Sequence, residues 1–143
     1  MKQTIEDVLL NRGFYICTNV GNSMLPFIRQ GLDILVIRPL NRPIKLYDVI
    51  LTKRPSGRYI LHRVIKINRD GSYRICGDNS YKYDDNILQE SVVGLLDDIR
   101  RDDVSIMNKA YYKIFVLVWC SLFFFRKPLL NAFKILKSTL WRI

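Results

Sequence analysis

Apolar residues recur at helical spacing only near the two ends of this chain, and between those ends the pattern shortens to strand-like runs. Ile5, Val8 and Leu9 mark one face of a short amphipathic helix over residues 2–12, which Gly13 stops. Phe14-Tyr15-Ile16-Cys17 then leads into a loop around Ser23. Asp33-Ile34-Leu35-Val36-Ile37 and Asp48-Val49-Ile50-Leu51 are short β-branched runs separated by Pro39, Asn41 and Pro43. Pro55-Ser56-Gly57 makes a turn before a longer strand from Arg58 to Asn68, and Asp70-Gly71 makes a hairpin into Ser72-Tyr73-Arg74-Ile75-Cys76. Ser91-Val92-Val93-Gly94-Leu95-Leu96 closes the series. Short strands joined by Gly, Pro and Asn turns predict a mainly β, antiparallel domain across about residues 14–98.

The pattern changes at Asp97-Asp98-Ile99-Arg100-Arg101-Asp102-Asp103, which reads as a charged linker dividing a domain at residues 1–103 from a helical tail at residues 104–143. Ile114 to Phe125 carries no charge and is bounded by Lys113 and by Arg126-Lys127. A helix of that length rises about 18 Å, too short for a hydrocarbon core of about 30 Å. Pro128 is expected to break the chain. Beyond it Leu129, Phe133, Leu136, Leu140 and Ile143 fall on one helical face, with Lys134, Lys137, Ser138 and Arg142 elsewhere.

Charge sharpens this division. The net charge is +10, yet residues 1–103 carry 16 Lys and Arg against 13 Asp and Glu, whereas residues 104–143 carry seven cations and no acid. Cations interleaved with Phe, Leu, Ile and Trp suit a lipid surface, and no nucleic-acid motif accompanies them. Residues 110–143 are therefore expected to associate with a membrane, and no nucleic-acid partner is expected. A helix that covers the β-domain is the alternative, although such a helix usually carries charges of both signs. If residues 110–125 inserted, the following cations would favour a cytoplasmic C-terminus; if they lie on the surface, the domain stays cytoplasmic. Cys17, Cys76 and Cys120 form no CxxC pair, and the chain has a single histidine, so no disulfide framework, metal site or cofactor is expected. The first residues contain no apolar h-region, so no cleavable secretory signal is expected.

Two residues carry the candidate chemistry. Ser23 lies in Gly21-Asn22-Ser23-Met24-Leu25-Pro26, and His62 lies in Leu61-His62-Arg63-Val64. Gly before and Pro after a serine suit a tight, exposed turn, where the hydroxyl can approach a carbonyl carbon and backbone N–H groups can face the developing oxyanion. A serine hydroxyl needs a base to remove its proton, and histidine titrates in the right range. Strand alternation puts His62 on the face of Ile60 and Val64, where partial burial would keep it neutral. That placement also suits an ordinary packed histidine. Gly77-Asp78-Asn79, after the next strand, can bring a carboxylate into the neighbourhood.

Taken in order, Gly21-Asn22-Ser23-Met24-Leu25-Pro26, Tyr47-Asp48-Val49-Ile50-Leu51, Leu61-His62-Arg63-Val64-Ile65 and Gly77-Asp78-Asn79 resemble the sequence boxes of signal peptidase I and its relatives, a superfamily that includes the self-cleaving SOS-response repressors. The resemblance covers roughly residues 15–96. His62-Arg63 is similar to the endoplasmic-reticulum, archaeal and sporulation-type enzymes, where histidine stands in place of the usual bacterial lysine. It implies a coiled antiparallel β-fold and serine endopeptidase activity on signal or leader peptides. Ser23 would be the nucleophile and His62 the general base, acting through an acyl-enzyme, with Asn22, Met24 and Pro26 on the substrate and oxyanion side. An acid shortly after the Gly-Asp-Asn turn would orient the histidine. Asp84-Asp85 stands there, one residue further along than the family spacing. Asp85 is favoured for that role and Asp78 for shaping the turn, although both types also cap loops.

The chain departs from the family pattern in three places. Gly21 replaces a frequent hydroxyl residue two positions before the nucleophile, leaving oxyanion stabilisation to backbone N–H groups and Asn22. Leu32 separates Gly31 from Asp33. The N-terminal transmembrane anchor of typical signal peptidases is not visible. Within the superfamily a self-cleaving regulator is the alternative, and a catalytically silent module holding peptides at a membrane is a third reading.

Overall fold

The computed structural model describes residues 2–141. Thr4 opens helix α1 (Ile5–Arg12): the Asp7 N–H donates to its hydroxyl at 3.2 Å, and the Thr4 N–H donates to the Asp7 carboxylate at 3.0 Å. This capping box satisfies two otherwise orphaned donors and sets the start at Ile5 rather than at residue 2. Gly13 ends the helix at φ 73°, a conformation that only glycine adopts without strain.

Eight strands follow: β1 (Tyr15–Thr18), β2 (Ile34–Arg38), β3 (Val49–Lys53), β4 (Tyr59–Ile67), β5 (Tyr73–Cys76), β6 (Tyr83–Ile87), β7 (Val92–Arg101) and β8 (Val104–Ser105). They form one sheet in the order β1-β2-β7-β3-β4-β5-β6, with β8 beside β7, and every pairing is antiparallel. The chain is thus mainly antiparallel sheet, with a short helix before it and helices after it. Strand β3 lies near the centre and is buried on both faces. Val49 and Leu51 join a cluster with Met24, Ile28, Leu35 and Ile99, while Ile50 joins Val64, Ile75 and Leu95 on the other side. That two-sided burial explains its uninterrupted apolar run.

Two expectations are corrected here. The charged segment after Asp97 is no linker: β7 continues to Arg101, Asp102 and Asp103 adopt φ 49° and 62°, and Arg101 pairs with Val104 of β8. Two consecutive left-handed residues make a tight two-residue hairpin, so the break in composition at 103 falls inside a hairpin. Part of its charge is held by distant partners. Arg101 donates to Asp33 at 2.9 and 3.0 Å, and Ser105 Oγ donates to Asp98 at 2.6 Å. Strand β6 was also not anticipated, because Tyr83-Asp84-Asp85-Asn86-Ile87 lacks an apolar alternation. It is an edge strand held by Arg74, which stacks on Tyr83 and pairs with Asp85.

The tail forms α2 (Ala110–Ser121), a 3₁₀ turn (Phe123–Phe125) and α3 (Arg126–Leu140). The break falls before Pro128 and not at it. Pro128 sits in the first turn of α3, where a missing N–H costs no intrahelical bond. Among the described residues no single helix is long and apolar enough to cross a membrane; α2 and the segment Phe123–Leu140 reach that length only as a pair bent by 74°. Ile143, placed on the apolar face from the sequence, lies outside the described residues.

The buried Asp33 carboxylate gathers the β1–β2 loop. Burial alone would raise it, but hydrogen bonds from Arg101 and Arg29 outweigh burial and hold it well below the usual carboxylate range. A depressed folded-state value contributes stability above about pH 4 that fades as the pH falls below it. Asp33→Asn is expected to cost about 2–3 kcal/mol at pH 7. In urea titrations the gap from the parent protein should close progressively below pH 4; a gap that is constant with pH would show that the charge does not contribute.

Candidate active site

The serine turn is held from both ends by its own side chains. Met24 and Ile28, four residues apart, are almost wholly buried in the core, and the Ile28 N–H donates to the Met24 carbonyl at 3.1 Å. This corrects the expectation for Met24, whose side chain plugs the core and does not line a substrate surface. Ser23, between that plug and Gly21 (φ 95°), is half-buried, while Asn22 and Pro26 are exposed.

A second turn clamps the serine from outside. The Asn79 N–H donates to the Ser23 carbonyl at 2.8 Å, and Asn79 Nδ2 donates to the Asn22 carbonyl at 3.1 Å. Gly77 lies so close that a Cβ there would stand 2.5 Å from the Ser23 carbonyl oxygen. Only glycine fits this approach. Strand β4 pairs with β5 through Arg63 and Cys76, and one step past that pair on the two strands lie His62 and Gly77. The serine turn is therefore seated at the end of β4 and β5 that carries His62.

His62 is mostly buried, with 16% of its side chain exposed, and its Nδ1 is enclosed without a hydrogen-bond partner among the described residues. Burial pushes its pKa below the ordinary value, against the pull of Asp84, so the ring is neutral at pH 7. The acid facing Nδ1 is Asp84, whose Oδ2 is 3.8 Å away and accepts from Arg54 at 2.5 Å. Closing that gap to a hydrogen bond needs a movement of ~1 Å.

Asp85 is not brought to His62. Its carboxylate accepts from Asn68 Nδ2 at 3.0 Å and from Arg74 Nε at 3.0 Å. Asp84 and Asp85 point to opposite faces of β6, which puts Asp84 on the histidine side and Asp85 on the Arg74 side. Asp78 is likewise engaged elsewhere. It is buried and accepts two hydrogen bonds from Arg63, at 2.8 and 2.7 Å.

The tail supplies parts of this region that sequence reasoning did not assign. Tyr112, Phe115, Val116, Trp119 and Cys120 share the inner face of α2. Arg63 donates to the Tyr112 hydroxyl at 3.1 Å, and Trp119 Nε1 donates to the Asp78 carbonyl at 2.7 Å. Arg126 is fully buried between the rings of Trp119 and Phe123, and donates to the carbonyls of Gly77 at 3.2 Å and Ser80 at 3.4 Å. A guanidinium from the tail thus caps the turn that clamps Ser23. One signal for it was present in the sequence: Arg126 ends the uncharged run, where an inward-facing cation would need backbone carbonyls around it.

Among the described residues no hydrogen bond joins Ser23 to His62; the fold gives a half-buried hydroxyl on a clamped turn and, on the strand pair that seats this turn, a neutral imidazole whose Nδ1 lies 3.8 Å from an acid, the types of group that activate a serine nucleophile. Gly77→Ala is expected to push the two turns apart while the sheet stays folded. Hydrogen exchange at the Asn79 amide should accelerate at least about tenfold while core β3 amides remain protected. Unchanged exchange at Asn79 would mean that the contact is not closely packed.

Comparison with known proteins returns no family model, no curated protein and no solved structure that matches this chain.

Proposed function

We propose that this chain is a serine endopeptidase of the signal-peptidase type, with a Ser-His pair, that removes signal or leader segments from peptides at a membrane surface. The observation that carries this reading is the clamped Ser23 turn at the His62 end of β4 and β5, together with a neutral imidazole whose enclosed Nδ1 faces Asp84. In this mechanism Nδ1 keeps its proton toward Asp84, which leaves the Nε2 lone pair free for the hydroxyl. Ser23 Oγ attacks the scissile carbonyl carbon as His62 takes the hydroxyl proton. His62 then delivers that proton to the departing amine, leaving an acyl-serine. Water, deprotonated by His62, releases the acid and restores the hydroxyl. Asp84 steadies the imidazolium formed at each step, and it takes the role that the sequence assigned to Asp85.

The outer face of α2 supports the membrane part of the proposal. Tyr111, Ile114, Leu117, Val118 and Leu122 form a stripe more than a third exposed, opposite the face docked on the sheet, and Phe124 and Phe125 extend it. A contiguous apolar surface of this kind marks an interaction site. Lys109, Lys113 and Lys127 flank it, and residues 104–143 contain no acid. A helix lying flat on an anionic lipid surface fits this combination.

Ser23→Ala should abolish cleavage of a leader-type peptide and labelling by a serine-directed fluorophosphonate without changing the circular dichroism spectrum. Retained cleavage would remove Ser23 from the chemistry. The rate kcat/KM should fall with acidification through a pKa below the ordinary histidine value of about 6.5, since the neutral base is the active form. A flat profile between pH 4 and 8 would exclude His62 as the base. For the membrane, flotation with phosphatidylglycerol vesicles should be lost when Ile114 and Leu117 are both changed to Asp, and equal flotation of parent and variant would refute the α2 surface.

A further inference from the structure

A cleft of about 710 Å³ opens directly beside the serine turn. One wall is the domain itself, through Asn22, Leu25 and Asn79. The opposite wall is one face of α3: Leu130, Phe133, Leu136 and Leu140, ending at Trp141, with Lys134 and Lys137 between them. The spacing of these residues is helical, so the apolar face of α3 is turned toward the cleft rather than away from the domain. The α3 side chains lining it are mostly exposed, so nothing within the described residues fills the space.

We infer that this cleft is a substrate subsite for an acidic, amphipathic peptide segment adjoining the cleaved bond. The inference rests on the peptidase reading for its orientation, since Asn22 and Leu25 flank the proposed nucleophile. Three features specify the occupant. The apolar side chains of α3 call for apolar side chains on the ligand. The two lysines, on an arm without a single acid, call for carboxylates between them. The exposed amides of Asn22 and Asn79 offer hydrogen bonds to a peptide backbone, which an acyl chain could not use. From Leu130 to Trp141 the wall runs about 16 Å, long enough for about five extended residues or three helical turns. A bilayer cannot enter a concave cleft with the β-domain as one wall, and the outer stripe of α2 is the surface open to lipid. The basic arm therefore divides its work: α2 faces the membrane, and α3 selects substrate by charge and apolar spacing.

The test uses the full chain carrying Ser23→Ala, so that binding is read without cleavage. Fluorescence anisotropy is measured without vesicles against three labelled peptides of about twelve residues. Each has Leu and Phe at helical spacing, with Glu, Gln or Lys between them. The Glu peptide is expected to bind at least about tenfold more tightly than the Lys peptide at low salt, with the gap shrinking as salt is raised. Lys134→Glu with Lys137→Glu should reverse the preference, and Phe133→Ser with Leu140→Ser should weaken all three peptides. Both pairs are exposed, and circular dichroism checks that each variant folds. Equal affinity for the three peptides, or binding of none, would overturn the inference. So would a Lys134→Glu/Lys137→Glu protein that loses vesicle flotation yet binds the Glu peptide as before, since α3 would then be a lipid surface. Binding that behaves as expected in a wild-type protein unable to cleave would sink the peptidase reading and leave the subsite standing. Cleavage without charge preference would do the reverse.

Discussion

Arg63 and Asp78 form the interaction around which this molecule is arranged. Both side chains are almost fully buried, and their two hydrogen bonds, at 2.8 and 2.7 Å, join β4 to the turn after β5. Taking two charges out of water costs several kcal/mol per ion, and that cost is offset by hydrogen bonds from four of the five Arg63 N–H groups. Arg63 also donates to the Tyr47 carbonyl at 2.9 Å and to the Tyr112 hydroxyl. Burial by itself would lower the Arg63 pKa, but Asp78 more than reverses that and the guanidinium stays charged. Removing either partner would strand a buried charge, at a cost of about 3–5 kcal/mol. Each of these bonds also has a direction, so the pair allows one placement of the Gly77–Asn79 turn and excludes its neighbours.

That placement passes straight to the candidate site. Asp78 fixes the turn, Gly77 and Asn79 fix Ser23, and His62 is the chain neighbour of Arg63. A cation so near an imidazole would ordinarily disfavour protonation, but this one is already bound to its own carboxylate. The histidine is governed instead by its burial, with Asp84 and Arg54 acting in opposite senses behind it. The geometry separates duties among the acids. Asp78 is structural, Asp85 holds the edge strand through Arg74, and Asp84 alone of the three has a carboxylate facing the ring.

The tail has two different faces. The inner side of α2 closes over the Arg63–Asp78 pair through Tyr112 and Trp119, and Arg126 completes the enclosure from the start of α3. Phe27, from the segment after Ser23, packs against Tyr112 and Phe115 with ring centres 5.1 and 4.7 Å apart. Helix α2 and Arg126 at the start of α3 therefore pack on the sheet. The remaining apolar surface of the helices points outward on α2 and toward the cleft on α3.

Most strands, the hairpin at Asp70-Gly71 and the Gly13 stop were legible in the sequence, because turn chemistry and the alternation of apolar residues act over two to four positions. Ser23 and His62 stood out for the same reason, each inside a short local pattern. What the sequence alone could not settle depended on register and on partners distant along the chain. One residue of shift on a strand exchanges its faces, and that single step decides between Asp84 and Asp85. The charged stretch after Asp97 read as a linker because the partner of Arg101, Asp33, lies far away in sequence. Burial of Met24 and of Arg126 likewise follows from packing that forms only when sheet and helices meet. Local periodicity determined the elements; the long-range pairing of charges and the closeness of two turns were decided by the tertiary structure, because those contacts exist only once the sheet has formed and α2 has docked on it.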